Sequence, residues 1–488
     1  MLMSMLLRRS LATATTTATS ASSRRFVSTV QHYDVTIVGG GVAGLTMAKL
    51  LQEHCPRYSV ALLDRGSTVV SQQPQSSASS IPHPRSYALS PKSLKLLGDD
   101  TTKDLPLGTY NSMQIWEANS PAMLVFSNHD LDDGENNSKL GACVEDTALV
   151  STLQEKLHRD SIHYNTTLQD FSVQSNKLEL TTKNTNNDDD TTTTVTTNLL
   201  IAADGAQSPI RTKLGIGWKG LDYGRTAVTF TVELAARPNN NIKRAYQRFL
   251  SHGPIALLPT YSENHAVVVW STTPGEAAEL KSLDSIELTK RLNDTLQQGP
   301  QRLKPLVERP GSKTDPLSSL FYGIERVLDT VHYGMGMRHW SDDAEKFLAP
   351  PMILAIPADA PRFTFPLSCK LASQYTQSNK IALIGDAAHT VHPLAGQGLN
   401  LGLEDVAALS GVIRKSHDSG MEAGTFLQDY EQNRQWSVPQ KVGGIHLLHS
   451  LFGMQSTPLM HGKSIGMSVI NQIGPMRRQL AKIATGLE

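Results

Sequence analysis

The chain of 488 residues lacks several things that whole classes of protein require. It has only three cysteines, Cys55, Cys143 and Cys369, with no C-x-x-C spacing. Neither a disulfide framework nor a thiolate zinc site has its ligands, and the working compartment reads as reducing. There is no surplus of either charge: 45 Lys+Arg stand against 45 Asp+Glu. A protein held to nucleic acid through phosphates carries a clear basic excess, so nucleic acid is not an expected partner. No apolar run approaches the roughly 18 residues of a spanning helix, which leaves only peripheral membrane association. No repeat of fixed period is visible, and no acidic residue precedes Asp34.

What stands in that acid-free stretch is informative. Residues 1–33 are rich in Ser, Thr and Ala and carry Arg8, Arg9, Arg24 and Arg25, the composition of a mitochondrial or plastid transit peptide. The arginine pairs and the R-R-F-V-S stretch favour the mitochondrion. Met1 to Leu7 is too short an apolar core for a secretory signal. At about 150 residues per domain, the remainder is enough for two or three domains with a sizeable core.

From Tyr33 the order is strand, tight glycine turn, helix, strand: YDVTIVGGGVAGLTMAKLLQEHC, then SVALLDRG. Ser67 to Pro84 reads as a long loop. Residues near 109–130 alternate like strands, and 141–157 read as a helix entered through a turn. The polar run 184–197 lies between apolar strands. Its aspartates, Asp188, Asp189 and Asp190, lack the glycine and distal glutamate of a calcium loop, so a solvated hairpin tip is expected. RTAVTFTVEL, AYQRFLSHGPIALLP and HAVVVWST predict a second, mostly antiparallel sheet. Residues 281–350 look mixed and mainly helical, KIALIGDAAH returns to a buried strand, and an amphipathic helix starts at Phe426. The expected architecture is α/β: a doubly wound, discontinuous dinucleotide-binding domain (34–105, 141–216 and 375–420), an inserted mostly antiparallel substrate domain (106–140 and 217–374), and C-terminal helices (421–488).

Three motifs carry the chemistry. Gly39, Gly41 and Gly44 form G-x-G-x-x-G between a strand and a helix, which permits a tight turn, close approach of backbone to a pyrophosphate and close helix packing at a positive helix end. Asp64, 20 residues after Gly44, falls where an acid accepts hydrogen bonds from a ribose. The second motif, LLIAADGAQSPIRTKLGI, sets Ala203, Asp204 and Gly205 after a buried strand, followed by Ser208 and Arg211. The third, IALIGDAAHTVHPLAGQGLNLGLEDVAAL, sets Gly385 and Asp386 at the end of another. Asp386 suits either a ligand hydroxyl or a helix N-cap. Leu399, Leu403, Val406 and Leu409 have the spacing of one buried helical face, which starts that helix near Gly396 to Asn400. His389 and His392 have no further ligand at metal-site spacing, so no metal is expected.

This trio, in this order, resembles the aromatic-ring hydroxylase class of FAD-dependent monooxygenases, with the p-hydroxybenzoate hydroxylase fold. More narrowly, VEDTALVSTLQ, AYQRFLSHGPIALLP, VVWSTTPGEA and HPLAGQGLNLG resemble the mitochondrial ring hydroxylases of ubiquinone (coenzyme Q) biosynthesis. The resemblance implies FAD as cofactor. It places Asp386 on the ribityl chain, Pro393 at the flavin edge, and Gln397, Gly398 and Asn400 against the ring at a helix end that favours reduced, anionic flavin. Arg85 approaches the flavin from the substrate side, with a surface salt bridge as its plain alternative. Asp204 is cofactor-associated, or braces the sheet together with Arg211. Trp270, Phe249, Phe363 and Phe365 are either cavity lining or ordinary core.

The implied activity is hydroxylation of a polyprenylated phenol or hydroxybenzoate through a flavin hydroperoxide. Implied partners are a ferredoxin and its reductase as electron donors and a coenzyme Q biosynthetic complex, at the matrix side of the mitochondrial inner membrane. The segment PMRRQLAKIATGL, with Arg477, Arg478 and Lys482 beside Met476, Leu480 and Ile483, reads as a basic surface helix on that membrane or as a terminal helix packed on the flavin domain. Two other functions use related folds, a flavin-dependent reductase of a prenyl substrate and a flavin-free prenyl-binding chaperone.

Overall fold

A computed structural model of the chain describes residues 30–67, 81–119, 123–131, 139–174, 176–186, 192–236, 243–301, 347–391, 397–453 and 478. Among these, eight strands form a first sheet. β1 (Gln31–Val38) runs parallel to β2 (Val60–Leu63) on one side and to β11 (Thr192–Ala202) on the other. β8 (Ile162–His163) extends it beyond β2, and β19 (Ile381–Leu383) with the antiparallel β18 (Thr376–Gln377) extends it beyond β11. β9 (Thr166–Val173) and β10 (Leu178–Asn184) continue β11 as antiparallel strands. Val35, Ile37, Leu199, Leu200 and Ile201 are wholly buried, because a parallel sheet is covered on both faces and its strands are apolar throughout.

One cover is α1 (Val42–His54), whose Leu45, Met47 and Leu51 enter this core. It packs against α4 (Asp146–Glu155) and α8 (Gln397–Asp418), which in turn meets α9 (Leu427–Gly453). Three shorter helices, α2 (Pro91–Leu97), α3 (Asp99–Thr102) and α5 (Pro209–Lys213), fill the edges.

The second sheet has nine strands. Its path is β20 (His389–Thr390), β17 (Phe363–Ala372), β12 (Trp218–Leu234), β15 (His265–Thr272), β14 (Gly253–Pro259), β13 (Arg244–Leu250), β5 (Ser112–Glu117) and β6 (Met123–Ser127), with β16 (Ile353–Ala355) also on β12. All pairs are antiparallel except β13 with β5. One face packs Val228, Phe230, Ile255, Val268 and Trp270 against α6 (Pro274–Ser282) and α7 (Ser285–Leu296). Thr273 and Asp284 cap these helices by accepting from Glu276 N–H and from Ile286 and Glu287 N–H. A small sheet of β3 (Ser86–Leu89), β7 (Gly141–Glu145) and β4 (Gly108–Tyr110) closes the side between the two.

Several expectations change. Residues 141–145 are strand β7, not helix: Ala142, Cys143 and Val144 are buried between β3 and β4, and this pairing overrides the helical reading until α4 starts at Asp146. Strand pairing likewise puts Asn184 in β10 and Thr192 to Thr197 in β11, while residues 187–191, the aspartates among them, lie outside the described residues. β1 starts at Gln31, so three residues assigned by composition to the leader belong to the sheet; Tyr33 is buried and its hydroxyl lies 3.0 Å from His163 Nε2. Residues 68–80, 302–346 and, apart from Arg478, the basic C-terminal segment lie outside the described residues. All three cysteines are free and buried, with burial raising the Cys143 thiol to about 12 and the Cys55 thiol to about 11. Among the described residues no helix is long and apolar enough to cross a membrane.

Candidate active site

The carboxyl ends of the first sheet and the free face of the second enclose a cavity of about 880 Å³. Its first wall starts at the glycine turn. Gly39 has φ +114° and a Cβ there would overlap the Ala203 carbonyl, while one on Gly44 would overlap Gly39 O. These two glycines bring β1, α1 and the Ala203–Gly205 loop together. Gly41 differs: it lines the cavity, and a Cβ on it would meet nothing within 4 Å. Since no side chain caps α1 and its first turn holds no acid, the positive helix end faces that space. Asp64 stands at the end of β2 and faces Gly40 so closely that a Cβ on Gly40 would overlap its carboxylate.

Arg85 and Asp386 form the next part of the wall. Arg85 lines the cavity with its side chain 68% exposed, and its Nε lies 3.6 Å from Asp146 Oδ2. Asp146 also accepts from the Tyr87 hydroxyl at 2.9 Å. Burial, then the Asp146 charge, raises the Tyr87 phenol. Asp386 sits inside a 3-10 turn, Gly385–Ala387, rather than at a helix N-cap. Its carboxylate is exposed to the cavity, where partial desolvation by the walls raises its pKa while His389 opposes the rise. The start of α8 completes this wall with Gly398, Leu399 and Gly402. Glycine at 402 permits the approach, since a Cβ there would lie 3.1 Å from Gly385 Cα.

Other expected site residues turn away from the space. Asp204 Oδ2 accepts from Ile210 N–H at the start of α5, and its Oδ1 is buried without a partner. Its pKa is raised by desolvation, and its neighbour Gly205 lines the cavity instead. Arg211 braces the same loop: it donates to Ala387 O at 3.0 Å and Ala206 O at 3.1 Å and lies over Trp218. Asn400 clips α8 to β3 and α2, with Oδ1 accepting from Ser90 N–H and the Ser93 hydroxyl and Nδ2 donating to Ala88 O. Pro393 and the side chain of Gln397 lie outside the described residues. On the second wall Phe363 and Phe365 line the cavity; Phe249 does not, and Trp270 packs behind the sheet.

A buried network behind Asp386 was not foreseen. Asp405, fully buried on α8, accepts from Gly385 N–H at 2.8 Å, His389 Nε2 at 2.6 Å and Arg434 Nε at 2.7 Å. An acid beside Leu403, Val406 and Leu409 on the buried helical face was the signal available in the sequence. His389 is thus held inside the protein, with Nδ1 buried and unpartnered.

The model of the family described as FAD binding domain matches residues 32–306 and 360–442. The chain is 30% identical over 466 residues to "Ubiquinone biosynthesis monooxygenase COQ6, mitochondrial" of Xenopus tropicalis, covering 93% of each chain. It is 29% identical to the Homo sapiens protein of that name, covering 94% of this chain and 93% of the other. The chain belongs to this family of FAD-binding monooxygenases. Among solved structures it is similar in fold to p-nitrophenol 4-monooxygenase PnpA from Pseudomonas putida DLL-E4, with TM-score 0.61, 16% identity and coverage of 93% of this chain and 97% of that one. The FAD-dependent monooxygenase PqsL from Pseudomonas aeruginosa, described as probable, superposes at TM-score 0.57 with 18% identity, covering 89% and 99%.

The family's cofactor fits these residues. Gly41 and Gly205 both leave free the space a side chain would fill, the uncapped end of α1 suits a pyrophosphate, and the cavity continues past Asp386 to the start of α8. FAD is the cofactor of this enzyme.

Proposed function

We propose that the protein hydroxylates the aromatic ring of a polyprenylated phenol or hydroxybenzoate in ubiquinone biosynthesis, with electrons from a ferredoxin and its NADPH-dependent reductase. The observation that carries this reading is one continuous cavity, joining the glycine turn to the free face of an antiparallel sheet. In this reading segments 34–105, 141–216 and 375–420 hold FAD, and 106–140 and 217–374 cover the ring.

Bound FAD supplies electrons and activates oxygen for insertion of one atom. The turn at Gly39, Gly41 and Gly44 binds the pyrophosphate and Asp64 the adenosine ribose. Asp386 accepts from hydroxyls of the ribityl chain. Gly398 and the start of α8 direct a positive helix end at the ring system, and the family resemblance assigns Pro393 and Gln397 to the same ring. Arg85 stands across from them, tethered by Asp146. Asp204 and Asn400 act at one remove, through the loop and the helix end they brace. Ala256, Leu258, Val269, Phe363 and Phe365 exclude water and hold the flat substrate ring.

The mitochondrial address rests on the acid-free leader and on the names of the relatives. Docking at a membrane surface follows from the insolubility of a polyprenylated substrate, and the family resemblance implies the matrix face of the inner membrane and a coenzyme Q biosynthetic complex. One-electron delivery rests on the family resemblance; the second G-x-G-x-x-G of the sequence, Gly215, Gly217 and Gly220, follows α5 and leads into β12, so it is not the strand-to-helix turn that binds a second dinucleotide. Anaerobic NADPH alone is expected to bleach the flavin slowly, and NADPH with ferredoxin and reductase quickly. In air the product should gain the mass of one oxygen atom. Rapid bleaching by NADPH alone refutes the electron route; a product gaining two hydrogens refutes the hydroxylation.

A further inference from the structure

The strand register arranges the second wall in rows. Gln247 pairs with Ala256, Ala256 with Val269, Val269 with Thr229 and Thr229 with Phe363, so these five form one row across β13, β14, β15, β12 and β17. All five line the cavity. Alternation along β13 sends the flanking residues to the opposite face. There Tyr246 joins the core under α6 and α7, and the Arg248 guanidinium reaches Gln298 Oε1 beyond α7.

Gln247 is the only member of this row with a primary amide. It is 4% exposed, and its amide makes no hydrogen bond to another described residue. The other polar member is already engaged, since the Thr229 hydroxyl donates to Pro84 O. An amide on the cavity wall loses its access to water when an apolar ligand fills the space, a penalty that an apolar residue of similar size would avoid. A ligand group that supplies the missing partner removes the penalty, and a ligand without one leaves it standing.

Resting on the function proposed above, we infer that Gln247 is a substrate-orienting residue which hydrogen-bonds an oxygen substituent of the aromatic head. A polyprenyl tail has no donor or acceptor, so within the substrate only the head can satisfy the amide. The shared chemistry is an oxygen on the ring, either the phenolic hydroxyl or a carboxylate. Holding that oxygen sets the in-plane rotation of the ring and hence which carbon is presented to the cofactor.

The test titrates the flavin absorbance of the FAD-loaded protein with 3-farnesyl-4-hydroxybenzoate, with the analogue lacking the hydroxyl and with the analogue lacking the carboxylate. Wild type is expected to lose affinity by about tenfold when the oxygen held by Gln247 is removed. Gln247→Leu, with unchanged FAD content, should bind that pair of compounds equally. The nearly isosteric Gln247→Glu keeps an acceptor for a hydroxyl but repels a carboxylate, so it tells the two oxygens apart and serves if the leucine variant misfolds. Discrimination in Gln247→Leu equal to wild type for both pairs overturns the inference. Failure of wild type to bind any of the three compounds overturns it by a different route, since the functional reading itself would then fall.

Discussion

Replacing Asp405 by alanine removes the carboxylate on which Gly385 N–H, His389 and Arg434 converge. Burial opposes ionisation of Asp405, but His389, Arg434 and the Gly385 N–H together outweigh it and hold its pKa below the ordinary carboxylate value. Asp405→Ala leaves Arg434, 4% exposed, with only Glu404 at 3.6 Å as counter-charge among the described residues, and it strands one backbone donor. Breaking a buried pair from one side costs about 3–5 kcal/mol. The surviving Glu404 contact favours the lower end of that range.

Urea unfolding of the FAD-free protein, followed by far-ultraviolet circular dichroism, should show a lower midpoint at unchanged slope. Arg434→Met removes the stranded cation, so the double variant should be less damaged than the sum of the singles, with coupling of about 1–3 kcal/mol. Because the folded pKa is depressed, the stabilisation is present above the unfolded value near 3.8 and disappears as pH falls through the lower folded value. The gap between wild type and Asp405→Ala should therefore close in acid. A loss below about 1 kcal/mol, or a strictly additive double variant, refutes the argument.

Other predictions follow from the same geometry. Gly41→Val should fold normally and purify without flavin, whereas Gly39→Val should lose more than the roughly 1–3 kcal/mol of its positive φ alone, because its Cβ would also overlap the Ala203 carbonyl; thermal melts and flavin absorbance separate the two, and full flavin in Gly41→Val contradicts the site. Asp386 has a raised folded pKa, so its contribution is present below 3.8 and lost as pH rises through the folded value. FAD-free Asp386→Asn should thus melt higher than wild type at neutral pH and equally in acid while binding FAD more weakly; equal melts at neutral pH count against it. Mature protein from isolated mitochondria should start between Arg25 and Gln31, since β1 needs Gln31 onward; N-terminal sequencing that finds cleavage inside Gln31 to Tyr33 sinks this.

Much of the site was legible because its determinants are local. The glycine turn, with Asp64 beyond it, follows from backbone requirements within one strand-helix-strand unit, and the start of α8 at Gln397 from helical periodicity. Strands β12 to β15 announced themselves by β-branched residues and alternation. The strand at 141–145 did not, because its conformation is decided by β3 and β4 on either side.

The sequence by itself determined the family, the cofactor and the order of strands and turns around it, since each motif encodes its own short stretch of backbone. Only the tertiary structure decided which polar side chains face the cavity. Asp204 and Asn400 carry suitable groups yet point into helix ends and loops, where buried N–H groups need acceptors. Asp405 and Arg434 are 29 positions apart and meet only because α9 packs on α8. Gln247 sits in a strand that looks like ordinary core, and the register of four neighbouring strands turns it toward the cavity. Periodicity fixes the face a residue occupies within its own element; what covers that face is set by residues far away in the chain.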